Sequence, residues 1–535
     1  MKLHNSCLIV FVGMLHLLSL TANSMANDVN CSSDVKQADP VKGNIHIIPE
    51  ADTYVRSGPF ADTNYGSAMV LNTVNSDNSQ MEVLIRFDLP KTRIAPDNAF
   101  IWINTTSDQT APVENAAYLV TDDTWLENTV TWNNKPACNQ ELDAWVTDND
   151  HSIKIDVTNQ VREALRGDGR LSIMIKSPHN IGSDGQSVYY SKESSSGLSP
   201  KLLMSFNRPK TYVKPGQSIQ QAINAIHSQG GGQVILQSGQ HFINDSLTLY
   251  SNITLQGQSK ESTSICMDTS VNKPMLIGTS EGTVNSDITI LELTLNGLLD
   301  QTEQHYPSST DRKTIRGNVF GILFTDTDSG NTFKRIQFKN VGVTRCSMGI
   351  HIKGVNDLRI SNSEIAHNGS IIAYDHNIYF RRANNALLKN LNISNCTAGN
   401  GFNLSTNCKN VILDNCDASD NNFRGIRFDA NDGGSRMMVI NCITNRNGQT
   451  EGQPGVRIAG VPDFTLLGCT ANNNGSFGFY FLGSRRGVIK ENSAVENADT
   501  DLYLKSCSTV EVVNNTAETF LAESCSDITK TGNIF

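Results

Sequence analysis

Tryptophan is missing from the chain beyond residue 145, its four copies being Trp102, Trp125, Trp132 and Trp145. So sharp a change of composition marks a domain boundary. Proline is scarce, 15 in 535 residues, and aromatics make up only 7%. With abundant Asn, Ser, Thr and Gly, this is the make-up of short strands joined by frequent turns. After the first twenty residues no apolar run is long enough to cross a bilayer, so no membrane span is expected. No CxxC pair or His-rich spacing points to zinc. Positive charge is not in excess either. A net charge of −10 lacks the field of a general nucleic-acid binder, so no nucleic-acid partner is expected. A local basic cleft can still exist inside an acidic shell, which keeps an acidic substrate open.

What is present begins with a leader. Lys2, an apolar run from Cys7 to Leu20 and small residues at Ser24 and Ala26 read as a secretory signal peptide over residues 1–26. A linker is expected over 27–44, and the mature protein is expected to be secreted, extracellular or periplasmic. The remainder is too long for one core. Cysteine looks plentiful at 12 copies, but four of them recur in matching contexts: "SNCTA", "DNCDA", "INCIT" and "LGCTA", at Cys396, Cys416, Cys442 and Cys469. Such a slot suits a stacked, small, buried residue rather than a bridge. Cys31 with Cys138 is the one pair considered for a disulfide.

Residues 45–207 alternate in short strands with turns between them and read as a β-sandwich. Four separated motifs, "ADTYVRSGPFADTNYG", "LIRFDLP", "TWNNKP" and "SPKLLMSF", resemble the jelly-roll module known by its DNRLRE motif and grouped with carbohydrate-binding module family 96. The resemblance implies attachment to a secreted polysaccharide-degrading enzyme, alginate lyases among them. Trp125 and Trp132 are candidates for stacking on sugar rings, with a place in the core as the alternative.

Residues 208–535 are a repeat. The pattern "GILFT", "GIHIK", "NIYFR", "GFNLS", "GIRFD", "GVRIA", "GFYFL", "DLYLK" returns at separations of 28, 28, 24, 24, 30, 23 and 23 residues. Coils of that length with Asn-rich turns predict a right-handed parallel β-helix. An amphipathic helix from about Ser218 should cover its open end. This opening resembles the pectate-lyase-like superfamily, which implies the architecture more than the chemistry. The fold class is thus all-β, a sandwich followed by a β-helix, and a monomer is expected.

Side chains alternate along a strand and successive coils stack about 4.8 Å apart. The third and fifth positions of each pattern therefore form two outward columns. One runs Leu323, His351, Tyr379, Asn403, Arg427, Arg457, Tyr480; the other runs Thr325, Lys353, Arg381, Ser405, Asp429, Ala459, Leu482. Asp375, His376 and Arg424 lie beside the same face. Basic groups gather at mid-helix in an acidic protein, and the flanking coils turn bland. This reads as a groove for an anionic polymer, against the alternative of a merely solvated face.

Breaking a uronate polymer by β-elimination needs a cation on the carboxylate, a base for the neighbouring carbon proton and an acid for the leaving oxygen. The candidates for chemistry are Tyr379, His376, Lys353 and Arg427. Those for substrate binding are His351, Arg381, Asn403, Arg424, Asp429, Arg457 and Tyr480. The leading reading is a polysaccharide lyase on a uronate polymer, alginate first. A mannuronan 5-epimerase uses the same proton removal. A glycoside hydrolase would need two carboxylates, and neither its paired-Asp pattern nor the Asp-Pro-His of mannuronan epimerases is present. A non-catalytic carbohydrate-binding protein is the rival from another class. No cofactor is required by this reading, although a calcium ion on Asp375, Asp429 or Asp432 stays open. The Asn at 362, 395, 415, 441 and 514 are expected to serve turns or ladders, and Glu364 and His367 to be structural.

Overall fold

The computed structural model describes residues 43–91, 94–109, 113–181, 185–279, 284–300, 316–325, 333–370, 374–430 and 433–535. The expected signal peptide, most of the linker, Cys31 and Asp432 lie outside the described residues. Pro40–Phe535 form one compact unit.

Two antiparallel sheets build the first domain. Gly43–Ile47, Lys201–Phe206, Asn98–Asn104 and Ser152–Asp156 form a four-stranded sheet in that order. It faces a larger sheet ordered Gln186–Tyr190, Val70–Ser76, Ser79–Asp88, Arg170–Lys176, Glu114–Val120 and Cys138–Val146, with Ala51–Arg56 paired to Ser79–Asp88. The alternation of apolar residues explains the packing: Ile101, Ile103, Ile153, Ile155, Phe87 and Trp145 all turn inward and are buried. Neither candidate tryptophan presents an open ring. Trp125 is 6% exposed, and its indole N–H donates to Ser172 Oγ at 3.2 Å. The ring of Trp132 carries the Lys135 ammonium 3.2 Å from its centroid. Cys138 is a free thiol, as are the repeat cysteines, which are buried.

The second domain is a parallel β-helix. Ile219–His227 covers its open end, burying Ile219, Ile223 and Ile226, and Ser218 Oγ caps it by accepting from the Gln221 N–H at 3.2 Å. From Lys210–Val213 onward the strands stack in parallel register. Their inward positions form apolar ladders such as Phe380, Phe402 and Phe428, with ring centroids 5.4 and 5.7 Å apart. Strands turn corners through left-handed residues. Ile378–Lys389 bends at Arg382 (φ 50) and Asn385 (φ 53), so its first half faces one side of the coil and its second half another.

That second side seats the sandwich. Leu387, Ile412, Met438, Ile440 and Leu467 point outward from the β-helix and pack with Ala116, Ala144 and Val146 of the larger sheet. Beside them Lys389 Nζ lies 2.7 Å from Glu114 Oε1 and 3.4 Å from Asp414 Oδ2. His179 Nε2 stands 3.1 Å from Asp414 Oδ1. Burial, and then the Asp414 charge, push the Glu114 carboxyl up to about 7.

Candidate functional site: an arginine-rich groove

The outward columns stack as the repeat predicts. His351 pairs with Tyr379, Tyr379 with Asn403, Asn403 with Arg427, Arg427 with Arg457 and Arg457 with Tyr480. Lys353 pairs with Arg381 and Arg381 with Ser405 in the second column. All the candidate residues therefore share one face or border it.

Their burial differs from a plain solvated face. Asn403 is 4% exposed and Asp429 7%, although both point away from the core. Longer neighbours in the columns cover them. Arg427 Nη2 lies 2.9 Å from Asp429 Oδ2, and Arg457 Nη1 lies 3.3 Å from the same oxygen. Asp429, expected to point outward as a substrate-binding candidate, is thus held by two guanidiniums. Arg424 stands close by, and its Nε has no hydrogen-bond partner among the described residues. Burial first, then the charges of Arg427 and Arg457, pull the Arg424 guanidinium down to about 10. Three arginines around one carboxylate leave uncompensated positive charge, and an incoming anion relieves it.

His376, expected beside this face as a candidate for proton transfer, is 4% exposed. Its Nδ1 accepts the Asn400 N–H at 3.0 Å, and its Nε2 meets the Asn403 carboxamide at 2.9 Å. Burial, followed by repulsion from Arg427, His351 and Arg424, lowers its pKa to about 3. A neutral ring that accepts at Nδ1 carries its proton on Nε2. The close approach depends on Gly399, where a Cβ would lie 2.1 Å from the Asp375 carbonyl oxygen and 2.4 Å from His376 Nδ1.

Tyr379 occupies the middle of the groove. Its ring lies 4.9 Å from His351 and 5.7 Å from His376, centroid to centroid, and its hydroxyl is 3.0 Å from Ser405 Oγ. Towards the far end the face becomes aromatic. Arg457 stands 6.0 Å from the Tyr480 ring, and Tyr480 stacks on Tyr503 at 5.3 Å with the rings 8° from parallel. Phe477 adds a third ring at 4.9 Å from Tyr480. Phe477, Tyr503 and Asn400 were not singled out from the sequence. Tyr503 occupies the next step of the first column and was legible there; Phe477 and Asn400 lie in turns, outside the strand pattern.

Both described carboxylates near the groove have protein partners. Asp429 is held as above, and Asp375, fully buried, accepts from Ser370 Oγ at 2.7 Å.

No curated protein matches this sequence. Among solved structures, the A-module of the mannuronan C-5 epimerase AlgE4 of Azotobacter vinelandii is 16% identical, with a TM-score of 0.41 over 60% of this chain and 97% of its own. The DFA-IIIase of Arthrobacter chlorophenolicus A6 without its lid is 12% identical, with a TM-score of 0.43 over 58% and 95%. The catalytic domain of a GH87 alpha-1,3-glucanase is 11% identical, with a TM-score of 0.38 over 92% and 99%. Residues 304–450 and 433–534 match the right handed beta helix region, and residues 44–206 match carbohydrate-binding module family 96. The chain therefore carries, at residues 44–206, a domain of the carbohydrate-binding module family 96 type, joined to a right-handed β-helix.

Proposed function

We propose that the protein is a secreted enzyme that acts on a uronate polymer, alginate first, by removing the carbon proton beside the sugar carboxylate. The observation that carries this reading is the cluster of Arg424, Arg427 and Arg457 around Asp429, two coils from Tyr379. A substrate carboxylate bound by Arg427 and Arg457 has its charge offset, which makes the proton on the adjacent carbon more acidic. Tyr379, its hydroxyl oriented by Ser405, is the residue placed to exchange that proton. In β-elimination the released electron pair forms a carbon–carbon double bond. The glycosidic carbon–oxygen bond breaks, and the departing oxygen takes up a proton.

His376 acts as a positioning residue in this scheme. Its Nδ1 is filled by a backbone N–H, so it carries no lone pair into the groove; its Nε2 edge lies against the Asn403 carboxamide. Lys353 and Arg381 extend the cationic wall along which the polymer lies. Hydrolysis fits the face less well, because the two outward columns contain a single carboxylate, Asp429, and two arginines hold it.

The test is incubation with alginate, pectate and other acidic polysaccharides, with and without added calcium. Ultraviolet absorbance of an unsaturated uronate product supports elimination. Inversion of uronate residues without cleavage, read by NMR, would reassign the same proton removal to epimerisation. New reducing ends without unsaturation, or binding with no change in the polymer, would overturn the proposal.

A further inference from the structure

The apolar seat of the sandwich is flanked by a cluster of buried charge. Two residues beyond Leu387 and Ile412, the outward column of the β-helix reads Ser361, Lys389, Asp414, Ile440 and Leu467 in successive coils. The parallel register sets Lys389 and Asp414 side by side on the face that the sandwich covers. Two groups of the sandwich reach the same place. Glu114 is the first residue of Glu114–Val120, and His179 lies in the loop after Arg170–Lys176.

Each carboxylate spends one oxygen on Lys389. Glu114 Oε1 and Asp414 Oδ2 lie 2.7 and 3.4 Å from its Nζ. The second oxygens, Glu114 Oε2 and Asp414 Oδ1, turn towards His179 Nε2, at 3.6 and 3.1 Å. These three atoms are buried, and none has an aligned hydrogen bond among the described residues. At 3.1 Å the ring nitrogen is near enough to Asp414 but does not point along the contact. The Glu114 and Asp414 side chains are only 2% and 4% exposed, and a buried polar atom left unpaired is costly. Three such atoms, all within 4.8 Å of one another, call for a partner they can share.

Spacing and donor type say what that partner is. Nitrogen and oxygen ligands of a tetrahedral zinc ion stand roughly 3.4 Å from one another, and the two distances to His179 Nε2 bracket that value. Calcium takes about 6–8 oxygens, whereas an imidazole with two carboxylates suits zinc and its neighbours. Charge agrees. As ions, Glu114, Asp414 and Glu141, whose Oε2 lies 3.1 Å from Lys389 Nζ, outnumber Lys389 by two negative charges. A protonated His179 would offset only one of them; a divalent cation offsets both. Lys389, on the far oxygens, then serves as the outer partner that orients the carboxylates. We propose that Glu114, His179 and Asp414 bind a divalent transition metal, zinc first, with water as the remaining ligand. Two ligands come from the sandwich and one from the β-helix, so the ion clamps one domain to the other and its binding is linked to their docking.

The test takes the full chain, stripped with a chelator and then dialysed against zinc or calcium chloride. Elemental analysis should find about one equivalent of zinc retained per chain at this site, and zinc should raise the melting temperature; calcium should do neither. His179→Ala and, separately, Asp414→Asn should each weaken zinc binding about a hundredfold or more, the upper end of what losing even an outer partner does. Arg427→Ala should keep the ion, which separates this site from the groove. X-ray absorption of the zinc-loaded wild-type chain should show nitrogen and oxygen neighbours at about 2.0–2.2 Å and no sulfur, a readout that stands even if both variants melt early. Sulfur neighbours would assign the ion to the buried thiols of Cys416, Cys442 and Cys469 and overturn the proposal. So would a chain that retains no zinc, retention unchanged in both variants, or equal retention of calcium.

Discussion

Tyr379 and Arg427 stand two coils apart on the same column, and their substitutions should fail in different ways. Tyr379→Phe keeps the ring against His351 and loses only the hydroxyl at Ser405. Steady-state kinetics should show turnover lowered about a hundredfold or more, with polymer binding kept. Arg427→Ala should damage both, because the clamp acts in ground and transition states alike. Near-wild-type turnover in Tyr379→Phe would reduce that residue to a wall of the groove. His376 gives a test of a different kind. Its unfolded form takes up a proton as the pH falls below about 6.5, its folded form only at about 3. Between those values the unfolded chain holds the extra proton, so this residue's share of stability declines as the pH falls through that window. Chemical denaturation at about pH 7 and about pH 4.5 should show a smaller loss on acidification in His376→Gln than in the wild type. An equal loss in both would show that the ring is not held neutral.

Among the elements, the strands were readable and the turns only in part. Outward columns follow from alternation alone, so His351 through Tyr480 fall where the repeat puts them. The asparagines split into two groups. Asn362, Asn415, Asn441 and Asn514 belong to one left-handed corner together with Asn390, and there Asn390 Nδ2 donates to Asn362 Oδ1 at 3.0 Å and Asn415 Nδ2 to Asn390 Oδ1 at 2.8 Å. Asn395 takes a different left-handed turn, shared with Asp420 and Arg446. A third ladder, buried at Asn421, Asn447 and Asn474 and half-buried at Asn497, passed unnoticed, since turn residues have no period-two signature. Asn421 Oδ1 accepts the Cys396 N–H at 2.9 Å, and its Nδ2 donates to Asn447 Oδ1 at 3.0 Å. Asn421→Ala strands that buried N–H, a loss of about 1–3 kcal/mol in urea unfolding. A stability within error of wild type would show that water replaces the amide.

For the whole molecule, the seat of the sandwich could not be read from the repeat. Leu387, Ile412 and Met438 look like further core until the packing shows them turned outward against residues more than 200 positions earlier. The charges between the domains make the seat specific. Lys389 lies between Glu114 and Asp414, whose side chains are 2% and 4% exposed. Lys389→Met leaves the buried Glu114 and Asp414 with His179 as their one remaining cationic partner among the described residues, a loss of roughly 3–5 kcal/mol. Calorimetric melting should show the loss, and an unchanged melting curve would mean that solvent reaches the pair. Polymer binding should also respond to salt. Contacts made through Lys353, Arg381 and Arg457 are screened over about 8 Å at physiological ionic strength, so affinity at the groove should fall as salt rises. Affinity indifferent to salt would point to stacking on Tyr480 instead.

The bends at Arg382 and Asn385 put Tyr379 and Arg381 on one side of a coil and Leu387 and Lys389 on another, within the single strand Ile378–Lys389. Groove and seat are thus graduated on the same ruler. Gain or loss of one coil between Gln337 and Leu387 would shift Gln337 against the seat by about 4.8 Å, while leaving every surviving coil intact. In such a lineage, the spacing between the seat and any feature of the earlier coils would change in whole coils and never by fractions of one.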